Sequence, residues 1–169
     1  MRIFGLAGWS GSGKTTLMTA LIPEFASRGI TVSTLKHAHH SFDVDQPGKD
    51  SWRHRQAGAQ EVMISSQHRW ALMGELRGRP EPTFDELVQR MSPVDLLLVE
   101  GFKHHRHPKI EVYRPSLGKP LLYPEDPFIV AIASDDMLPG LTLPWLPLSD
   151  VVAVAAFILD HDKPDRWPS

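Results

Sequence analysis

Arg2 to Ala7 is a short, mostly apolar run followed at once by a Gly-rich turn, the pattern of a buried strand in a parallel sheet. Beyond the turn, Leu17, Ala20, Leu21 and Phe25 recur at helical spacing and mark an amphipathic helix that ends near Arg28-Gly29. Thr31 to Lys36 alternates and begins β-branched, which predicts a second strand. Residues 37–50 are polar and carry Pro47-Gly48, so a long loop is expected there, then a short helix over 49–57 stopped by Gly58. Glu61 to Ser65 and Arg69 to Met73 read as two strands joined by a tight turn at Ser66-Gln67.

The Gly/Pro-rich stretch from Gly74 to Pro82 predicts a surface crossing. Thr83 with Glu86 forms a capping box, and Phe84, Leu87, Val88 and Met91 give the next helix one apolar face. Val94 to Val99 is nearly continuous apolar sequence, as a central parallel strand requires. Lys109 to Tyr113 and Phe128 to Ala133 are further strands, separated by a Pro-rich loop from Pro115 to Pro127. A second Pro-rich stretch, Pro139 to Pro147, leads to a last helix from about Asp150 to Leu159, and the polar tail from His161 to Ser169 is expected to fray. Strands alternate with helices throughout. The class is therefore α/β, a three-layer α/β/α arrangement on a mostly parallel sheet with a peripheral β-hairpin.

Composition narrows this picture. With 169 residues, 41% of them hydrophobic, the chain is expected to form one nucleotide-binding domain over residues 1–169. Eighteen Lys and Arg against 20 Asp and Glu give no global reason to expect a nucleic acid partner. No apolar run approaches the roughly 20 residues of a membrane span, and no signal-peptide pattern opens the chain. Cys is absent, which excludes thiolate metal sites and Cys nucleophiles. A cytoplasmic protein is expected.

The chemistry starts at Gly8-Trp9-Ser10-Gly11-Ser12-Gly13-Lys14-Thr15, which fits G-x-x-x-x-G-K-[ST] at every fixed position, with Thr16 following. The required context, a strand before and a helix after, is present. Its glycines let backbone N–H groups turn onto phosphate oxygens, and the helix dipole adds to them. Lys14 is expected to reach the β- and γ-phosphates, and the Thr15 hydroxyl to ligate Mg²⁺. A nucleoside triphosphate with Mg²⁺ is the expected ligand.

A second metal-side carboxylate is expected at the end of a neighbouring strand. Asp95 lies five residues before Glu100, roughly 16 Å along an extended chain. Ligand-binding ends of a parallel sheet lie at its carboxyl edge, so Glu100 is the better partner for Mg²⁺ and Asp95 sits at the wrong edge. The guanine reader N-K-x-D cannot occur, because the chain has no Asn. Asp135, after the strand ending at Ala133, could accept hydrogen bonds from guanine N1 and N2. It could equally just turn the chain with Ser134 and Asp136.

Six of the nine His fall in two loops, Lys36-His37-Ala38-His39-His40 and Lys103-His104-His105-Arg106-His107, both at the carboxyl edge. Interleaved Lys36, Lys103, Arg106 and Lys109 favour a basic rim for a second phosphorylated ligand. A plain solvated loop and a transition-metal site using Asp43 and Asp45 are the competing readings. Asp45 could instead join the Mg²⁺ shell. Lys49, Asp50, Arg53 and Arg55 extend the rim or form an ordinary helix surface.

At this point the residues resemble a family. The phosphate loop, Lys36-His37-x-His39-His40, Asp45-x-Pro47-Gly48-Lys49-Asp50-Ser51, Ser66-Gln67-x-Arg69-Trp70-Ala71-Leu72, Val99-Glu100-Gly101-Phe102-Lys103 and Ala133-Ser134-Asp135 look like the MobB family, the molybdopterin-guanine dinucleotide biosynthesis adapter proteins. The resemblance implies a P-loop fold, GTP binding, weak intrinsic GTPase activity and a homodimer. It also implies partnership with the molybdopterin guanylyltransferase and proximity to molybdopterin or its guanine dinucleotide. The phosphate loop, Glu100 and Asp135 are the positions carried over. Lys36, His37 and Lys103 are the rim residues expected near the bound ligand. Many relatives among P-loop proteins carry an extra Lys early in the loop that acts across a dimer. Trp9 and Ser10 occupy that stretch here, and neither a water-positioning Gln nor an arginine finger is evident, in keeping with slow hydrolysis.

Two other functions share parts of this pattern. A P-loop small-molecule kinase would need an Arg-rich lid, for which Arg77, Arg79 and the Arg106 loop are the only candidates. A metallochaperone GTPase would make use of the His clusters.

Overall fold

The computed structural model describes residues 1–38, 42–102 and 105–161. They belong to two compact units, one made of Met1–His37 with Ser92–Ser169 and the other of Ala38–Met91.

The first unit is built on a six-stranded sheet of β1 (Arg2–Ala7), β2 (Val32–Lys36), β5 (Leu96–Glu100), β6 (Lys109–Tyr113), β7 (Ile129–Ser134) and β8 (Trp145–Pro147), in the order β2-β5-β1-β6-β7-β8. Every pairing in it is parallel. Consecutive strands are therefore joined by crossovers, and all strand C-termini lie at one edge. Helices α1 (Lys14–Ser27) and α4 (Val151–His161) cover one face. There Leu17, Leu21 and Phe25 of α1 and Val154, Ala155 and Ile158 of α4 pack with Phe4, Leu6, Leu98, Ile110 and Val112 of the strands. On the opposite face no such helix lies among the described residues of this unit. That face is covered by loop residues Leu121, Leu122, Tyr123, Leu138, Leu141 and Leu143, packed over Ala7, Ile129 and Ile132.

The second unit contains α2 (Asp50–Gln56), the antiparallel hairpin of β3 (Glu61–Ser65) and β4 (Trp70–Gly74), and α3 (Phe84–Gln89). The Thr83–Glu86 capping box forms as expected, with the Glu86 carboxylate accepting from the Thr83 amide at 2.7 Å. Arg55 organises this unit: its guanidinium pairs with Asp43 at 2.8 Å, Asp45 at 3.1 Å and Glu75 at 2.9 Å.

Three local expectations are corrected. The hairpin connection is four residues rather than a tight turn at Ser66-Gln67. The Ser66 hydroxyl accepts from the His68 and Arg69 amides, which keeps Arg69 in the turn and starts the strand at Trp70. The Pro139–Pro147 stretch ends in a short strand, β8, which pairs only with β7 and so tolerates Pro147 at a sheet edge. Lastly, the Pro115–Pro127 loop opens with a 3₁₀ turn at Pro115–Leu117. No helix among the described residues is long and apolar enough to cross a membrane.

Candidate phosphate and metal site

β1 lies near the middle of the sheet, so the loop after it emerges at the carboxyl edge with the ends of β5 and β2 on one side and those of β6, β7 and β8 on the other. Gly8 has φ +137°, and a Cβ there would fall 2.4 Å from the Val112 carbonyl oxygen, so only glycine lets the loop pass β6. Gly13, at φ +102°, precedes α1 as its N-cap and supplies no side-chain cap. The first-turn N–H groups of α1 thus have no capping side chain, as an anion site requires. The Ser12 hydroxyl is buried and has no hydrogen-bond partner among the described residues. A buried hydroxyl of this kind is destabilising unless a ligand satisfies it. The loop fits a phosphate chain. Lys14 Nζ donates to the Gly8 and Trp9 carbonyls at 3.0 and 2.9 Å, which holds the ammonium over the loop itself.

On one side of β1 stands β5. Register pairs Leu6 with Glu100 and Glu100 with Lys36, placing three strand ends in a row. The Thr15 hydroxyl faces the two Glu100 carboxylate oxygens at 3.5 and 3.4 Å, longer than an ordinary hydroxyl–carboxylate hydrogen bond. Lys36 Nζ lies 3.4 Å from Glu100 Oε1 and is itself largely exposed. A hydroxyl and a nearly buried carboxylate facing each other are the hard oxygen donors that Mg²⁺ prefers. His37 follows, its amide donating to the Glu100 carbonyl at 2.9 Å and its ring meeting Phe102 edge-on at 5.1 Å. Phe102, two residues past the end of β5, has φ +47°, a strained conformation for a bulky residue.

Asp95 sits at the opposite edge. Its carboxylate accepts from the Thr31 amide and hydroxyl at 2.9 and 2.6 Å, and these bonds hold it below the usual carboxylate range. It ties the starts of β2 and β5 together. Asp45 belongs to the second unit, where its carboxylate is engaged by Ser51 at 2.8 Å and Arg55 at 3.1 Å. Lys103, His39, His40 and His104 lie outside the described residues.

On the other side of β1 stand β6 and β7. Asp135 follows β7 directly, exposed, with Arg114 Nη1 donating to its Oδ2 at 2.7 Å. Arg114 Nε also donates to the Ser12 carbonyl at 3.1 Å. Sequence reasoning did not single out Arg114, because nothing local to Tyr113-Arg114-Pro115 marks it. Its significance comes from lying at the end of the strand between the phosphate loop and Asp135. Trp9 projects onto the Pro-rich loop, its indole N–H donating to the Pro120 carbonyl at 2.8 Å with the Lys119 ammonium 5.7 Å from the ring centroid. Ser10 and Thr16 are exposed in the loop and the first turn of α1.

The basic rim is smaller than its sequence suggested. Lys109 and His107 are buried, with 1% and 3% exposure, because the alternation of β6 turns Lys109 onto the sheet face. Lys109 pairs with Asp126 at 2.9 Å, and burial together with the Lys109 charge pushes the His107 imidazole down to about 4. Neither can serve as a rim cation. Among the described residues, no group of three or more His, Asp or Glu side chains could hold a metal ion. Arg77 bonds the Arg55 and Ala59 carbonyls, and Arg79 the Glu75 and Leu76 carbonyls, so both are engaged by loops of their own unit.

Comparison with known proteins bears on this site. The family model described as MobB, molybdopterin guanine dinucleotide synthesis protein B, matches residues 3–135. The chain is 44% identical over 161 residues to the molybdopterin-guanine dinucleotide biosynthesis adapter protein of Escherichia coli K12, covering 94% of this chain and 91% of that protein. It is 46% identical over 137 residues to the adapter protein of the same name from Haemophilus influenzae, covering 79% and 74%. Among solved structures, Bacillus subtilis MobB superposes with a TM-score of 0.73 at 26% identity, covering 97% of this chain and 99% of that one. A crystal structure of molybdopterin-guanine biosynthesis protein B gives 0.72 at 27% identity, covering 94% and 99%.

Proposed function

The chain belongs to the MobB family, and on that premise we propose that it serves as a GTP-binding adapter in molybdenum cofactor biosynthesis, assisting attachment of GMP to molybdopterin. The observation that carries the nucleotide reading is the convergence at one sheet edge of Lys14, the buried Ser12 hydroxyl, and the facing Thr15 and Glu100. Loop amides and Lys14 bind the triphosphate, Thr15 and Glu100 hold Mg²⁺, and Asp135 reads guanine. Mg²⁺, when bound, supplies charge neutralisation on the phosphates. Lys36 and His37 form the remaining rim among the described residues for the phosphate of molybdopterin or its dinucleotide. The molybdopterin guanylyltransferase is the partner and the cytoplasm the place of action. Hydrolysis is slow at most.

A homodimer is part of this reading. The hairpin leaves Met63 and Trp70 63% and 62% exposed, with Ile64 and Leu72 also exposed, and Met63 lies opposite Leu72 in register. An apolar patch of this kind on a two-stranded ribbon suits a second copy. Trp70→Glu is expected to shift the sedimenting species toward monomer; an unchanged oligomer removes the hairpin from the interface.

Calorimetry with GTP and ATP, with and without Mg²⁺, tests the nucleotide reading. GTP is expected to bind more tightly than ATP, and Lys14→Ala to abolish binding of both. Glu100→Ala should weaken hydrolysis more than binding, and a variant with intact Mg²⁺ dependence and turnover removes Glu100 from the metal site. Adding the protein to molybdopterin, GTP and the transferase should raise guanylylation; an unchanged rate removes the adapter role.

A further inference from the structure

Arg114 spans two groups that no local sequence pattern connects. It follows β6, the strand lying between β1, which feeds the phosphate loop, and β7, which ends at Asp135. Nε donates to the Ser12 carbonyl at 3.1 Å and Nη1 to Asp135 Oδ2 at 2.7 Å. The same guanidinium lies against Gly13, with Nε and Nη2 at 3.6 and 3.7 Å from where a Cβ would stand. One rigid planar fork thus fixes the spacing between the phosphate loop and the exposed carboxylate.

We propose that Arg114 is a positioning residue that sets purine specificity, holding the Asp135 carboxylate in the orientation that accepts from the guanine edge. This rests on the reading of Asp135 as the base-contacting acid. An Asp at an exposed strand end otherwise rotates freely and must be ordered when the base binds, which weakens binding. Anchored through Oδ2, the carboxylate presents a fixed acceptor to guanine N1–H and N2–H and a fixed repulsion to the N1 lone pair of adenine. Discrimination built on such donors is large. Because the pair is substantially exposed, with side-chain exposures of 37% and 50%, it adds little to folding stability, and variants at either position should fold.

The test compares GTP, ITP and ATP affinities of wild type, Arg114→Ala, Arg114→Lys and Asp135→Asn by calorimetry, with thermal midpoints as a folding control. ITP lacks the N2 amino group and so reports on one of the two contacts. Arg114→Ala should lose roughly tenfold in GTP affinity, with ATP changed less than about threefold and the GTP/ITP ratio falling toward one. Arg114→Lys, which keeps the charge but not the fork, should recover part of the ratio. Equal loss of GTP and ATP binding would make Arg114 a phosphate-loop residue only and overturn the proposal. A gain in GTP affinity would also overturn it, by making the guanidinium a competitor for Asp135. If wild type itself does not distinguish GTP from ATP, or Asp135→Asn keeps the preference, the base reading fails first. A preserved preference in Arg114→Ala alone overturns only the role of Arg114.

Discussion

The two faces of β6 are equally buried and chemically opposite. Ile110 and Val112 lie under α1 and α4 at 0% exposure, while Lys109 and Glu111 lie on the other side at 1% and 0%. The first face is filled by apolar side chains in van der Waals contact. The second spends its burial on orienting a loop: Glu111 accepts from the Leu122 amide at 2.8 and 3.0 Å and the Tyr123 amide at 3.0 Å, and Lys109 pairs with Asp126. That loop carries the Pro120 carbonyl that receives the Trp9 indole of the phosphate loop. One face holds the sheet together, and the other transmits position from the sheet to the site. Burial alone therefore does not distinguish a stabilising residue from one that sets geometry.

This division can be broken by mutation, and the largest effect belongs to the apolar face. Leu98→Ala, at a fully buried position beneath the helices, should cost about 3–4 kcal/mol in urea unfolding. Nucleotide affinity of the folded fraction should stay within about twofold, because nothing at the site rests on that side chain. A large loss of affinity there would erase the distinction. Glu111→Ala should cost about 2–3 kcal/mol by stranding the Leu122 and Tyr123 amides. Those two amides should exchange with solvent roughly tenfold faster or more, and GTP affinity should fall with them. Unchanged exchange would mean the loop is held by its apolar contacts alone.

Acid sharpens the contrast further. Burial against Lys109 keeps His107 neutral, with Gly5 beside it so close that a Cβ there would stand 2.5 Å from Nε2. The unfolded imidazole binds a proton near pH 6.5 and the folded one only near 4, so stability should fall as pH drops through that window. The expected loss is about 3 kcal/mol between pH 7 and 4. His107→Gln should flatten that slope, and an identical slope would assign it to the carboxylates instead. Burial raises the Glu111 carboxyl, so its contribution runs the other way and grows as pH falls through its folded value. The smallest effect is expected at the exposed Arg114–Asp135 pair, where either alanine variant should shift unfolding by less than about 1 kcal/mol while altering base preference.

The elements were largely legible from the sequence because each leaves a short-range mark. Apolar runs gave β1, β5 and β7, the capping box gave the start of α3, and the Gly-rich spacing gave the phosphate loop. The three-residue β8 was not legible, since a strand that short has no period, Pro144 precedes it and Pro147 ends it. The rim was overread because Lys and His at alternate positions look solvated in a sequence, whereas the pleat of β6 and the preceding turn fold Lys109 and His107 inward. Glu100 could be chosen over Asp95 by length alone, and the structure puts it beside Thr15.

What the sequence determined by itself is therefore the chemistry that neighbours along the chain create: a phosphate loop, an acid at the end of a neighbouring strand, and a family pattern. The strand order β2-β5-β1-β6-β7-β8 was decided only in three dimensions. That order sets Glu100 and Lys36 on one side of the loop and Arg114 and Asp135 on the other. It depends on which crossovers bury a common core, a sum over contacts far apart in the chain that no local window contains. Arg114 acquires its two partners, 102 and 21 residues away, only once that order exists.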